Sequence, residues 1–142
     1  MNTRIATQDE MIALFRHDFP NSELPIVFSS QALEDCDGKI AVELDDEIVG
    51  IAAFRSTPIS WDGDTLSEFQ LCYVAKAHRK KGIGLDLCTF VIKQLIEHDR
   101  TPIHCDVTSY GIKATLLKLP LELQRHLVRE SSLDDYGDMW PE

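Results

Sequence analysis

The clearest hydrophobic pattern in the chain changes its period between Glu68 and His98. From Glu68 to Ala75 the residues alternate as in a strand, with one face made of Phe69, Leu71, Tyr73 and Ala75 and the other of Gln70, Cys72 and Val74. From Gly84 to His98 apolar residues recur at the spacing of a helix. A cationic segment with Gly82 and Gly84 lies between them, so the pattern predicts a strand, a glycine-bearing turn and a helix N-terminus.

A second alternating pattern, Lys39 to Leu44 and Ile48 to Arg55 around an acidic turn, predicts a β-hairpin. The other predicted elements are a strand at Thr3 to Thr7, a helix capped by Thr7 or Asp9 that continues through His17, an extended stretch from Pro25 to Ser29, a helical turn from Ser30 to Asp35, a loop from Ser56 to Leu66, a strand from Ile103 to Thr108, a short helix from Ile112 to Leu119, and a terminal hairpin after Leu121. At 142 residues, we expect a single domain spanning 1–142.

The glycine turn has the spacing R-x-x-G-x-G, formed by Arg79, Gly82 and Gly84. The first N–H groups of a helix have no partner within it, and glycines let backbone approach an anion closely. The pattern lacks the lysine of a P-loop, and Leu87 stands where a dinucleotide fingerprint needs its third glycine. A diphosphate site is therefore one interpretation, and a basic loop with two turn glycines is the other.

In this context the motif resembles the pyrophosphate-binding motif of the GCN5-related N-acetyltransferases, the GNAT superfamily. The resemblance covers nearly the whole chain and is specific from Lys39 to Ser109. It implies an α/β fold of the α+β type, with a mixed, mostly antiparallel central sheet flanked by helices. It also implies acetyl-CoA (coenzyme A) as the cofactor, bound by Cys72, Tyr73, Val74, Arg79, Lys80, Lys81, Gly82, Ile83, Gly84, Leu85 and Ser109.

The resemblance further implies transfer of an acetyl group to a primary amine. A lysine-type amine titrates near pH 10.4, so losing its proton at pH 7 costs about 4.6 kcal/mol, and a general base is useful. Glu68 stands where the histone-acetyltransferase branch carries its base, and burial beside Phe69 and Trp61 would raise its pKa. The alternative for Glu68 is a solvent-facing strand end.

Two residues that many GNAT enzymes carry are missing here. The asparagine after the fifth strand corresponds by spacing to Gly111, and the tyrosine that protonates the leaving thiolate corresponds to Lys118. Tyr110 is the candidate substitute, with Ser109 beside it.

Composition limits the partners. A formal charge of −10 argues against nucleic acid and favours a cationic amine, either a small molecule or a peptide. The loop around Trp61 suits such an acceptor, although a solvated loop is the alternative. The four cysteines have no metal-ligand spacing, so we expect no metal, and they suggest a reducing cytoplasm. No apolar run is long enough for a membrane span, and a homodimer is left open.

Three functions are therefore open. The first is an acetyl-CoA-dependent N-acetyltransferase, which the motif and Glu68 favour. The second is a module that binds coenzyme A without turnover, which the two missing residues allow. The third is an acidic interaction protein, for instance a mimic of nucleic acid charge, in which the glycine turn is only structural.

Overall fold

The computed structural model describes residues 2–61, 64–100, 103–105 and 115–129, and it describes the side chains of all of these except 57–61, 64–66, 128 and 129. Its sheet has six strands that lie in sequence order: β1 (Asn2–Ile5), β2 (Gly38–Leu44), β3 (Glu47–Trp61), β4 (Asp64–Val74), β5 (Ile103–Cys105) and β6 (Leu127–Arg129). The first four strands pair antiparallel, and β5 pairs parallel with both β4 and β6. The predicted mixed, mostly antiparallel sheet is confirmed.

The helices are α1 (Gln8–Asp18), α2 (Ser30–Glu34), α3 (Ile83–Glu97) and α4 (Leu121–Gln124), with 3₁₀ turns at Ile26–Phe28 and Lys76–His78 and helical backbone at residues 115–117. Helix α1 begins at a capping box, in which the Thr7 side chain accepts from the Glu10 amide and the Glu10 side chain accepts from the Thr7 amide. No helix in the described part of the chain is long and apolar enough to cross a membrane.

Two hydrophobic clusters pack on opposite faces of the sheet. On one face, α3 contributes Leu87, Cys88 and Val91 to a cluster with Ala52 and Phe69. On the other face, the cluster includes residues of α1, α2 and the strands, namely Met11, Phe15, Phe28, Leu33, Ile51, Leu71 and Tyr73. All four cysteines are free thiols and buried, and they pack as small core residues.

A β-bulge in β4 changes which face each residue occupies. Ala53 pairs with Leu71, and the next residue, Phe54, pairs with Phe69, so Gln70 is the extra residue. Phe69 consequently packs on the α3 face with Cys72, whereas Leu71 packs on the α1 face. The prediction that Phe69 and Leu71 share a face is wrong, because strict alternation cannot include an inserted residue.

Two other local predictions are wrong. Ser56 to Leu66 is not a loop, because β3 and β4 continue through it as a long hairpin, with the ladder irregular between Arg55 and Ile59 around Pro58. Pro25 to Ser29 contains a 3₁₀ turn rather than an extended strand. The chain after Pro120 forms helix α4 and then β6, which pairs parallel with β5, whereas the rest of the predicted terminal hairpin, residues 130–142, lies outside the described residues.

The β2–β3 hairpin is confirmed. Its two turn residues, Asp45 and Asp46, have φ values of 53° and 63°, the left-handed conformation that two-residue hairpin turns need and that Asp tolerates.

Candidate active site

The turn before α3 is open at the helix N-terminus. Gly82 is the N-cap residue in the left-handed conformation (φ 83°, ψ 2°), and no side chain forms a cap hydrogen bond there. A Cβ built on Gly82 would meet no atom within 4 Å, and one on Gly84 would lie 3.6 Å from Val74 Cγ2 and 3.8 Å from Thr115 Oγ1. Among the described residues, nothing therefore fills the space before the first amides of α3, where an anion can bind.

The three cations before Gly82 have different environments. Arg79 is half-buried, donates from Nε to the Val74 carbonyl at 3.1 Å, and lies 5.5 Å above the Tyr73 ring. Lys80 and Lys81 are exposed, and Lys80 has a left-handed φ of 65°. The lysines are thus positioned to add positive potential at the turn, while the arginine side chain is part of the turn's own packing.

The predicted cofactor residues of β4 turn their side chains into the two cores. Cys72 is 2% exposed on the α3 face, and Val74 packs against the same cluster. Tyr73 is 2% exposed on the opposite face, where its hydroxyl donates to Asp18 at 2.5 Å. Cys72 and Tyr73 therefore offer only backbone groups to a ligand, whereas the half-buried Val74 side chain lies beside Gly84. In the described residues, β4 pairs with β5 only at Ser67, Glu68 and Phe69.

Two further predicted cofactor residues are hydrophobic and pack behind the turn. Ile83 is 2% exposed and Leu85 is half-buried, and both pack on the α3 face. Both side chains pack between the start of α3 and the sheet. Ile83 therefore offers only its backbone to a ligand, whereas part of the Leu85 side chain is accessible.

Glu68 occupies the middle of the three described β4–β5 pairs, and its side chain is 19% exposed. Its cross-strand neighbours are Arg55 on β3 and His104 on β5, and His104 Nδ1 lies 3.9 Å from Glu68 Oε2. Partial burial was predicted, but Phe69 does not cause it, because Phe69 packs on the opposite face of the sheet. The Trp61 side chain lies outside the described part of the structure.

His104 is a site residue that the sequence reasoning missed. It is 5% exposed, one of three buried polar residues that the structure describes. The only signal in the sequence was a histidine between two apolar strand residues, Ile103 and Cys105. Such a residue usually belongs to a core, and only the register of two strands distant in sequence places it beside Glu68.

A cysteine, Cys36, lies on the α1 face of the sheet, and its chemistry is that of a neutral thiol. Cys36 Sγ is 3.5 Å from Gln70 Oε1, and the Gln70 amide donates to the Ala32 carbonyl at 3.4 Å. Burial, followed by the negative charge of Glu68, raises the pKa of Cys36 to about 12. Cys36 is therefore protonated at neutral pH and is a poor nucleophile.

The model of the acetyltransferase (GNAT) family matches residues 6–115. The chain belongs to the GNAT acetyltransferase family. No curated protein matches the sequence.

Solved structures share the GNAT fold with this domain. A ribosomal-protein-alanine N-acetyltransferase from Brucella melitensis biovar Abortus 2308 superposes with a TM-score of 0.61 at 16% identity, over 84% of this chain and 90% of that one. An aminoglycoside acetyltransferase from an uncultured soil metagenomic sample, in complex with sisomicin, gives 0.60 at 16% identity, over 84% and 88%. A GNAT family acetyltransferase from Brucella melitensis in complex with acetyl-CoA gives 0.53 at 21% identity, over 70% and 71%.

Most of the remaining predicted residues of this GNAT domain fall outside the described structure. Tyr110, Ser109 and Gly111 lie outside the described residues. Lys118 is exposed just after the helical residues 115–117. Within the described ranges, no group of three or more His, Cys, Asp or Glu side chains could hold a metal ion.

Proposed function

We propose that this GNAT protein is an acetyl-CoA-dependent N-acetyltransferase that transfers an acetyl group directly to a primary amine. The observation that carries the proposal is the open N-terminus of α3 behind Gly82, in a chain whose family is acetyltransferases. A related fold has been solved with acetyl-CoA bound. The first amides of α3, the backbone of Gly82 and Gly84, and the side chains of Lys80 and Lys81 would hold the diphosphate.

Acetyl-CoA supplies an activated acetyl thioester when it is bound. The residues of this chain would then orient the acceptor and take its proton. Glu68 is the proposed general base, because its side chain is partly buried on β4, between Arg55 on β3 and His104 on β5. His104 is the neighbouring side chain on β5, and its Nδ1 lies 3.9 Å from the Glu68 carboxylate.

Direct transfer is preferred over a cysteine-bound acetyl intermediate. Cys36 has a raised pKa because it is buried, and the pKa of Cys88 is raised by its contact with Cys72 and by burial. Neither thiol would supply a thiolate at neutral pH. The acceptor we propose is cationic, because a chain of net charge −10 attracts positively charged amines.

The test has two stages. Isothermal titration with acetyl-CoA asks whether the cofactor binds, and no binding at millimolar ligand would exclude both an enzyme and a coenzyme A-binding module. Release of free thiol from acetyl-CoA, with a panel of polyamines, aminoglycosides, amino acids and peptide amines, then separates turnover from binding alone.

Glu68→Gln should lower kcat by about 10²- to 10⁴-fold at neutral pH and leave the Kd for acetyl-CoA within about twofold. Glu47→Gln is the matched control, because Glu47 is exposed at the far end of β3. A collapse of cofactor affinity in Glu68→Gln would show instead that Glu68 is structural. The loss of turnover should shrink as the pH approaches the pKa of the amine, since the free amine is then abundant without a base.

A further inference from the structure

The last residue of α1, Asp18, joins that helix to the segment that leads into the glycine turn of Arg79, Gly82 and Gly84, called the cofactor turn below. One carboxylate oxygen, Oδ2, accepts from the Tyr73 hydroxyl at 2.5 Å and from the Lys76 backbone amide at 2.8 Å. The Asp18 side chain is only 8% exposed. A single buried oxygen thus ties together the end of α1, the end of β4 and the start of the 3₁₀ turn Lys76–His78.

The helix itself does not explain an aspartate at this position. A negative charge at a helix C-terminus is opposed by the helix dipole, and burial of a carboxylate costs free energy. Burial tends to raise the pKa of Asp18, but the hydrogen bonds from Tyr73 and Lys76, with a weaker contact from exposed His17 Nδ1 at 3.5 Å, outweigh it, and the pKa is lowered overall. The two donors are therefore what makes the buried charge acceptable, and both belong to the segment beside the cofactor turn.

The contacts continue from Asp18 to the motif arginine. Tyr73 is fixed between Phe15 and Phe28, with ring centroids 5.7 Å and 6.2 Å away. The same ring lies 5.5 Å below the Arg79 guanidinium, which also bonds to the Val74 carbonyl. Asp18 fixes the hydroxyl end of the ring that supports Arg79.

A second contact fixes the same segment to the end of α1. Phe19 directly follows Asp18 in sequence. The Lys76 ammonium lies 4.1 Å from the centroid of the Phe19 ring. Lys76 is thus attached to α1 through both its backbone and its side chain. The Arg79 amide in turn donates to the Lys76 carbonyl at 3.4 Å, so the position of Lys76 is transmitted to the R-x-x-G-x-G residues.

We propose that Asp18 is a positioning residue for the cofactor turn: by holding Tyr73 and Lys76, it keeps the segment from Lys76 to Gly82 in the conformation that binds the diphosphate. The inference rests on the proposed function, because it assigns Asp18 a part in acetyl-CoA binding. A turn that is already ordered loses little conformational entropy when the ligand binds, whereas a loosened turn must be ordered at the expense of affinity. Asp18 touches no ligand and acts only through its neighbours.

The experiment compares acetyl-CoA affinity in Asp18→Ala, Asp18→Asn and Asp9→Ala. Asp18→Ala removes the acceptor, and we expect Kd to rise about tenfold. Asp18→Asn retains an oxygen that can accept both hydrogen bonds and should restore Kd to within about threefold of wild type. Asp9→Ala is the matched control, since it removes the same charge from an exposed position at the other end of α1 and should not change Kd.

Hydrogen exchange of the ligand-free proteins supplies the second readout. The amides from Lys76 to Gly82 should exchange faster in Asp18→Ala than in Asp9→Ala, even if both variants remain folded. If wild type binds acetyl-CoA and Asp18→Ala binds it equally well, the positioning role is refuted and the proposed function stands. If Asp18→Ala is less stable but its exchange and Kd match the control, Asp18 is merely structural. If wild type itself binds no acetyl-CoA, the proposed function fails, and the positioning role fails with it.

Discussion

A negative charge placed at Gly84 should separate the stability of the fold from binding of the cofactor. Gly84 is the second residue of α3, and an added Cβ would make only ordinary contacts, 3.6 Å from Val74 Cγ2 and 3.8 Å from Thr115 Oγ1. Replacing glycine in a helix by a residue with a side chain gains up to about 0.5 kcal/mol, and an acidic residue in the first turn gains a further ~0.3–1 kcal/mol. Gly84→Asp should therefore fold with an unchanged or slightly higher Tm.

The same substitution should weaken acetyl-CoA binding. Two unit charges about 5 Å apart repel by about 1–3 kcal/mol for effective dielectric constants between those of water and a protein surface. That energy corresponds to a roughly 5- to 150-fold rise in Kd for each phosphate charge at that distance. The effect should be largest at low ionic strength and should shrink in about 0.5 M NaCl, because the added carboxylate is accessible to salt.

Isothermal titration and thermal unfolding of wild type, Gly84→Asp and Gly84→Asn provide the assay. Asn has nearly the volume of Asp but no charge, so it measures the steric contribution alone. Wild-type affinity in Gly84→Asp at low salt would show that the diphosphate does not bind at the start of α3. Equal losses in the Asn and Asp variants, with no dependence on salt, would attribute the effect to crowding rather than to charge.

Two other predictions concern the scaffold. Gly50→Ala should destabilise the protein by about 1–3 kcal/mol in urea unfolding, because a Cβ there would lie 2.9 Å from Leu87 Cδ1 and 3.0 Å from Ile83 Cγ2; an unchanged midpoint would show that α3 can move away from β3 at little cost. Cys36 has a reference pKa of 9.0 that is raised to about 12 in the fold, so its contribution to stability is complete below pH 9 and is lost as the pH rises toward 12. Between pH 9 and 11 the free energy of unfolding of wild type should fall by about 1–2 kcal/mol more than that of Cys36→Ala. If the free energies of unfolding of the two proteins fall in parallel over this pH range, the prediction is contradicted.

Local chemistry determined most of the elements in this protein. The period change after Val74, the capping residue Thr7 and the acidic turn at Asp45 each predict an element from neighbours in sequence, and the structure has all three. The glycine turn was predicted as an anion site for the same reason, since a helix N-terminus and its glycines lie within a few residues of one another. Each of these features depends on the backbone geometry of a few consecutive residues. A local sequence pattern is therefore enough to predict it.

The sequence also identified Glu68 as the candidate base, but not its surroundings. The bulge at Gln70 moves Phe69 to the other face, and the β3 and β5 registers place Arg55 and His104 beside Glu68. Composition was misleading at Ser56 to Leu66, because backbone pairing within a long hairpin tolerates Pro, Ser and Asp residues that usually mark loops.

Only the tertiary structure could bring Asp18 to Tyr73 and Lys76, which lie 55 and 58 residues away along the chain. No local pattern distinguishes Asp18 from an ordinary aspartate at the end of an amphipathic helix. The physical reason is that periodicity reports which side of an element is buried, whereas strand register, bulges and helix docking decide which buried groups meet. The elements and the glycine turn were thus determined by the sequence locally, and the neighbours of Glu68 and of that turn were decided by packing.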